Sequence, residues 1–503
     1  MKYVVGVDLG TSSVKVLLVD QYGEVHYAVS KDYPLIQQKP GYSEQNPEDW
    51  VEQTIQALKQ LVNDANLNKH DIAGISFSGQ MHGLVLLDEQ NQVIRNAILW
   101  NDTRTTPQCK KIDQQLGGKL LEITKNPALE GFTLPKILWV KENEPEIFEK
   151  TSVFLLPKDY LRYRLTGKIN MDYSDAAGTL ILDVVNKSWS NEILRTFEIP
   201  STICPPLVET EDFVGTLLPE IAEITGLSSD VKVFAGGADN ACGAIGAGIL
   251  SEGTALCSIG TSGVFLSYEN DKNKNFGGKV HLFNHGQKNS YYTMGVTLAA
   301  GYSLTWFKET FAKGQSFTAL LEDAALSSIG ANGLIFTPFL VGERTPYADA
   351  KIRGTFTGID GSHRMADFTR AVIEGIVFSI NESVEIFRNH GKNIDKVISI
   401  GGGAKSELWL QIQADVFNAK VVKLQNEQGP GMGAAMIAAA GLGWFESLKE
   451  CAQVFIKEDK VYEPKPENVK RYKEFYQVYK DVYPHTVAIN HQLFDLRKGI
   501  ELE

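Results

Sequence analysis

VGVDLGTSSVKVLLVD, from Val5 to Asp20, is the stretch that decides the fold class. Val5 and Val7 open a strand, Asp8 to Ser12 supply a polar turn, and Val14 to Val19 make a second strand. Gln21-Tyr22-Gly23-Glu24 then predicts a hairpin turn into a third strand around Val25 to Ser30. Strand, polar turn, strand is not a P-loop, which needs a lysine-bearing GKS or GKT and then a helix. A turn built of Gly10, Thr11 and Ser12 offers bare backbone N–H groups and hydroxyls, the donors that phosphate oxygens need.

The same pattern recurs far downstream as ALCSIGTSGVFLS, Ala255 to Ser267. Laying Gly10-Thr11-Ser12 on Gly260-Thr261-Ser262 superposes two apolar strands around one turn, so the chain reads as two related halves. The copies differ in one respect: where the first has Asp8, the second has Ser258. Strand-like runs (Ile72 to Ser76, Leu84 to Leu87, Ala97 to Trp100, Val231 to Ala235) alternate with helical ones, such as Trp50 to Ala65. After the second copy come a helix over Phe368 to Phe387, a strand over Val397 to Ile400, three glycines and a helix over Ser406 to Phe417. Alternation of this kind predicts α/β layers. The boundary falls near Gly246 to Gly253, dividing the chain into residues 1–246 and 247–503. Tyr472, Phe475, Tyr476, Tyr479 and Tyr483 form an aromatic stripe expected to dock a last helix on the second half.

Length and composition agree. At 503 residues more than one core is expected, and 43% hydrophobic with 22% charged residues is a globular composition. A net charge of -12 argues against nucleic acid but not against one nucleotide, which needs only local donors and a metal ion. The five cysteines (Cys109, Cys204, Cys242, Cys257, Cys451) have neither disulfide nor zinc spacing. The apolar start before Asp8 is too short for a signal peptide, and the run Gly431 to Phe445 is too short to span a bilayer. A cytoplasmic protein without membrane partners is expected.

Four further places could carry chemistry. Asp8, at a strand end, is placed to hold Mg²⁺ through water. In VISIGGGAKSELW, Val397 to Trp409, Gly401 to Gly403 would let a nucleotide lie against bare backbone at a helix start. In VFAGGADNACGAIGAG, Val233 to Gly248, Asp239 stands where a strand meets a helix of small residues. It reads either as an N-cap or as a general base, kept ionised by the helix terminus, that faces a substrate hydroxyl. Gln80, His82, Asn101, Asp102 and Arg104 gather at strand ends and offer the mixed donors and acceptors a polyol needs; singly, Asn101 or Asp102 also suits a helix cap.

Together these segments resemble the FGGY carbohydrate kinases of the actin-like ATPase superfamily, and within that family the members acting on D-xylulose. The resemblance lies in SGQMHG with LWNDTR, LLPKDYLRYRLTG (Leu155 to Gly167), SDAAGT (Ser174 to Thr179), GGADNACGA, IGTSGV, FLVGERTPY (Phe339 to Tyr347) and GGGAKSELW, in the family's order over almost the whole chain. It implies two actin-like (ribonuclease H-like) ATPase domains with a cleft between them, the first binding the sugar and the second the nucleotide. By matching position, Asp239 would be the catalytic base, and Met81, His82, Asp239 and Asn240 would contact the ketose. Asp8 would organise the metal. Thr11, Ser12, Gly260 and Thr261 would face the phosphates, and Gly402, Gly403 and Ala404 would border the nucleoside. Trp306, in LAAGYSLTWF, would stand near the nucleotide. Ser406-Glu407 occupy the region where some members carry an adenine-contacting asparagine, and Gly-Gly-Ala precedes Asp239 where three glycines are commoner. The implied reaction is ATP plus D-xylulose giving ADP and D-xylulose 5-phosphate, with Mg²⁺ as cofactor and a homodimer as a possible assembly. The alternatives are a kinase for another ketose, a sugar acid or a polyol, and a non-catalytic actin-like nucleotide switch.

Overall fold

The computed structural model describes residues 2–500. In the first half, β1 (Tyr3–Leu9), β2 (Ser13–Asp20) and β3 (Val25–Asp32) form the expected meander. Helix α1 (Pro47–Asp64) covers β2 and β3. It starts at N-cap Asn46 with a proline at the first position, and buries Trp50, Val51, Thr54, Ala57, Leu58, Leu61 and Val62 at helical spacing. Strand β4 (Ile72–Gly79) runs parallel to β1, followed outward by β5 (Phe213–Thr216) and β6 (Lys232–Phe234), in the order β5-β6-β4-β1-β2-β3. Helix α2 (Asp239–Gly246) closes the half. The run expected as a strand over Ala97 to Trp100 pairs only over Ala97–Ile98, because Trp100 and Asn101 turn away.

The second half repeats the scheme with β7 (Gly253–Ile259), β8 (Gly263–Glu269), β9 (His281–Asn284), β10 (Tyr291–Thr297), β11 (Ile394–Gly401), β12 (Lys420–Leu424) and β13 (Glu458–Tyr462). Its order is β9-β10-β8-β7-β11-β12-β13. Read from the edge, β13-β12-β11-β7-β8-β10 matches β5-β6-β4-β1-β2-β3 strand for strand in sequence of parallel and antiparallel pairings. The repeat read from one turn is therefore a repeat of a whole sheet, and the fold is α/β with two actin-like domains. The turns differ by one residue. Leu9 pairs with Val14, leaving 10–13 in the first loop, whereas Ile259 pairs with Gly263, leaving 260–262.

Helices α3 (Met365–Asn389), α4 (Glu407–Phe417), α5 (Pro430–Gly441) and α6 (Pro466–Ile500) complete the second half. As expected, the aromatic stripe of α6 docks inward: Tyr472, Tyr476 and Tyr479 are buried against Phe378 of α3. Helix α5 behaves differently, packing on β1 and β4 of the first sheet and on α2. Only glycine permits this approach. A Cβ on Gly6 would sit 2.8 Å from the Ala435 nitrogen, and one on Gly246 would sit 2.7 Å from the Gly429 oxygen. The run Gly431 to Phe445 thus joins the two halves. Among the described residues no helix is long and apolar enough to cross a membrane.

Candidate active site

Asp239 is placed by a tight strand-to-helix passage. Gly236 has φ +78, and a Cβ there would lie 2.9 Å from both N and C of Phe77. Gly237–Ala238 then pairs with Ser78–Gly79 at the end of β4. The structure makes Ala238 the N-cap and Asp239 the first helical residue, so the capping reading of Asp239 is corrected. Its Oδ1 instead accepts from the Asn240 amide at 2.6 Å and from Asn240 Nδ2 at 2.9 Å. Burial, and then the charge of Asp8, push its pKa up to about 7, while the Asn240 bonds pull the other way. The expectation that the helix terminus would hold it firmly ionised is corrected for that reason: loss of water and a like charge outweigh the terminus. The result suits proton abstraction near neutral pH. Burial likewise raises Asp8, opposed by the neighbouring Ser78 hydroxyl and the Lys15 ammonium.

Met81, His82, Asp239 and Asn240 come together on one cavity of about 360 Å³. His82 has φ +68 and brings Nδ1 within 2.7 Å of the Gly178 carbonyl oxygen. A carbonyl only accepts, so Nδ1 carries the proton and Nε2 keeps its lone pair. Burial and the nearby Lys136 charge lower the His82 pKa to about 3, which fixes the ring as neutral. Asn101 and Asp102 also border the cavity. Asp102 caps no helix; it is buried beneath Arg104, which it binds at 2.7 Å, and accepts from the Ser43 amide at 2.6 Å. Gln80 lies outside the cavity, donating to Gln45 at 3.2 Å.

Sequence reasoning missed the opposite wall. His281, Phe283 and Arg344 from the second half, with Glu130 and Phe132 from the first, complete this cavity. His281 Nδ1 faces Asn126 Oδ1 at 2.9 Å, and Asn126 Nδ2 donates to two backbone carbonyls, so Oδ1 is the acceptor and His281 the donor. Burial lowers the His281 pKa to about 3. Arg344 lies inside the quoted run FLVGERTPY, which carried the only signal for it.

A second cavity of about 500 Å³ lies on the other side of the Gly260 turn. Gly260, Thr261 and Gly402 line it, with Lys405, Leu304, Phe317 and Trp409. Ser262 lines the first cavity, so residues 260–262 form the partition between the two. Gly260 and Thr261 carbonyls accept from the amides of Gly301 at 2.8 Å and Tyr302 at 3.1 Å, which pins the turn. Gly403 and Ala404 sit behind Gly402: a Cβ on Gly403 would meet Ile259 at 2.7 Å, and Ala404 is buried. Trp306 does not line this cavity. Its ring stacks on Phe336 at 6.3 Å and meets the edge of Phe311. Ser406 caps α4, accepting from the Trp409 amide. Thr11 reaches the first cavity indirectly, its Oγ1 accepting from Trp100 Nε1 at 2.9 Å, and Ser12 is exposed.

Beneath the site lies a fully buried ion cluster, drawn from the two other quoted runs and from Asp172 just before the second of them. Lys158 Nζ contacts Asp159 at 2.5 Å, Asp172 at 2.8 Å and Asp175 at 3.3 Å. Those three aspartates have metal-like spacing, but an ammonium already occupies their centre. Asp172 also accepts a hydrogen bond from the Ser174 hydroxyl, whose Oγ accepts from the Ala238 amide at 2.9 Å, so the cluster holds the strand end that presents Asp239. For a metal the better fit is Asp8, a carboxylate at the end of β1 that no lysine or arginine binds as an ion pair among the described residues. Mg²⁺ commonly takes one or two carboxylates and completes its shell with water and substrate phosphates.

Comparison with known proteins shows the family and the fold. The FGGY family of carbohydrate kinases, N-terminal domain, matches residues 3–246, and its C-terminal domain matches residues 255–442. A xylulose kinase of Bacillus subtilis (strain 168) is 63% identical over 499 residues, covering 99% of this chain and 100% of that protein. Among solved structures, a ligand-bound xylulose kinase from Lactobacillus acidophilus superposes with a TM-score of 0.93 at 28% identity, covering 98% of this chain and 100% of that one. A gluconate kinase from the same species superposes equally well, at 0.93 and 28%, covering 98% and 99%.

Proposed function

The chain belongs to the FGGY family of carbohydrate kinases, and from that premise we propose that it phosphorylates the terminal hydroxyl of D-xylulose with ATP, giving D-xylulose 5-phosphate. The observation that carries the reading is the meeting of Met81, His82, Asp239 and Asn240 in one cavity, parted from a second by the Gly260–Ser262 turn. The first cavity takes the sugar and the second the nucleotide, so phosphoryl transfer crosses the partition. In this division residues 1–246 carry the base and most sugar contacts and 247–503 the nucleotide, although the sugar cavity borrows one wall from the second half.

Asp239 accepts the proton of the sugar's terminal hydroxyl as that oxygen attacks. A pKa near 7 leaves a substantial ionised fraction at neutral pH, and phosphoryl transfer asks little more because its transition state is loose. His82 Nε2 accepts from a sugar hydroxyl, and Asn240 holds the base in orientation. Thr11 and Ser12 on one side, with Gly260 and Thr261 on the other, supply donors for the phosphates. Gly402, Gly403 and Ala404 form the nucleoside border, and Trp306 packs on Phe336, anchoring the helix that brings Tyr302 and Thr305 to the same cavity. Mg²⁺, held by Asp8, would supply the positive charge that the triphosphate requires.

Because kinases of this fold act on different sugars, the test is a coupled ADP-release assay over D-xylulose, other ketoses, D-gluconate, glycerol and xylitol. D-xylulose should give the highest kcat/KM. A higher value for another class would replace the substrate, and no turnover of any would leave a nucleotide switch.

A further inference from the structure

We propose that Arg344 determines specificity for this substrate, its guanidinium donating to the C2 carbonyl of the open-chain ketose. The inference rests on the ketose-kinase reading. A 2-pentulose closes its five-membered ring through O5, so O5 is a free hydroxyl only when the ring is open. An enzyme that phosphorylates O5 therefore binds a chain with a bare ketone at C2, and a ketone oxygen can only accept.

Apart from the neutral Asn101 amide, which also borders the cavity, the side-chain donors of the N-terminal wall are already engaged. Trp100 Nε1 is on Thr11, Asn240 Nδ2 on Asp239, and Lys136 on the backbone carbonyls of His82, Gly131 and Phe132. His82 and His281 present acceptors, because each ring uses its Nδ1 proton elsewhere. Arg344 lines the same cavity from the second half, and among the described residues its guanidinium has no hydrogen bond or ion pair. Its charge bears on both His82 and His281, and the carboxylates of Glu130 and Glu343 act on it from nearby without a hydrogen bond to the guanidinium. In D-xylulose C2 lies three carbons from the reacting C5.

The backbone around Arg344 is fixed. Buried Glu343 accepts from the Arg344 amide at 2.7 Å and the Leu298 amide at 3.0 Å, and from Ser379 at 3.1 Å. Thr345 exchanges two hydrogen bonds with Val296 of β10, at 3.0 and 3.1 Å. An unpaired cation on a clamped backbone is a preorganised donor, so little ordering is needed when the ketose arrives.

The test compares wild type, Arg344→Met and Arg344→Lys using kcat/KM for D-xylulose and the competitive inhibition constant of xylitol, in which C2 bears a hydroxyl. Loss of a charge-assisted hydrogen bond should lower kcat/KM for D-xylulose roughly 10- to 100-fold in Arg344→Met; xylitol, whose C2 hydroxyl can also accept but must place its own proton elsewhere, should lose clearly less. Arg344→Lys should recover part of the loss, and carries the comparison if Arg344→Met does not fold. The KM for ATP and the thermal midpoint should stay as in wild type. Equal losses for ketose and polyol, or no loss, overturn the assignment. D-gluconate turnover that vanishes in Arg344→Met while D-xylulose turnover survives overturns it too, giving the guanidinium to a carboxylate. A wild type inert toward D-xylulose sinks the ketose reading itself, which the unmutated enzyme alone decides.

Discussion

Gly433→Ala should weaken both stability and turnover, because helices α2 and α5 meet backbone to backbone. A methyl on Gly433 would lie 2.6 Å from the Cys242 carbonyl carbon and 2.9 Å from its Cα, and closer still to its oxygen. Ordinary contact begins at 3.4 Å, so the helices must part by roughly 1 Å, and no side chain can swing aside to spare them. Two effects compete. Alanine gains up to about 1 kcal/mol in helix propensity over glycine, whereas overpacking costs about 1–3 kcal/mol. With backbone on both sides the clash takes the upper end of its range, leaving a net loss of about 1–2 kcal/mol. Function should suffer more. Asp239 opens α2, and a Cβ on Gly431 of α5 would lie 3.6 Å from the Asp8 Cβ, so parting the helices moves base and metal ligand against each other. Misplacement by about 1 Å can cost on the order of 10²-fold in rate. Thermal unfolding and steady-state kinetics on one preparation should show a midpoint lowered by a few degrees and kcat lowered more than about tenfold. An unchanged or raised midpoint with wild-type kcat would refute the idea that this contact locks the two halves.

Three more outcomes follow from the site. With the Asp239 pKa near 7 and the ionised form active, kcat/KM should be level above that pH and fall about tenfold per unit below it; a flat profile down to pH 5.5 would contradict the assignment. His82→Ala should raise KM for the sugar far more than for ATP. Because burial keeps His82 neutral, with a pKa of about 3, the variant's profile should keep the wild-type acid limb; equal rises for both substrates would point to general disruption. Asp8→Asn should cripple turnover and weaken its dependence on Mg²⁺ while sugar binding without nucleotide persists; full activity at low Mg²⁺ would remove Asp8 from the metal.

What the sequence revealed was what neighbouring residues determine. The Gly-Thr-Ser hairpins, the apolar spacing of α1, the strand-glycine-helix passages and the aromatic face of α6 are written in short windows, and the repeated hairpin implied two like halves. Features that depend on distant segments were illegible. His281 opens a strand and Arg344 sits in a loop of the second half, yet both wall the cavity that holds Asp239. The Asp239 pKa depends first on burial and then on Asp8 at the opposite end of the first domain's sequence, so a local argument from the helix terminus gave the wrong balance. The three aspartates around Lys158 come from two separate runs that look unremarkable in isolation. Trp306 shows the limit of position alone: it shares a helix with the cavity residues Tyr302 and Thr305, but its ring turns to Phe336.

The central claim is that Asp239 is the proton acceptor, and Asp239→Asn isolates it. Ala238 holds the cap position, so no cap is lost, and the asparagine side chain keeps an oxygen that can accept from Asn240. Only the basic charge disappears. Measured together, kcat should fall about 10²–10⁴-fold while D-xylulose affinity and the thermal midpoint hold. A wild-type kcat in Asp239→Asn would contradict the account.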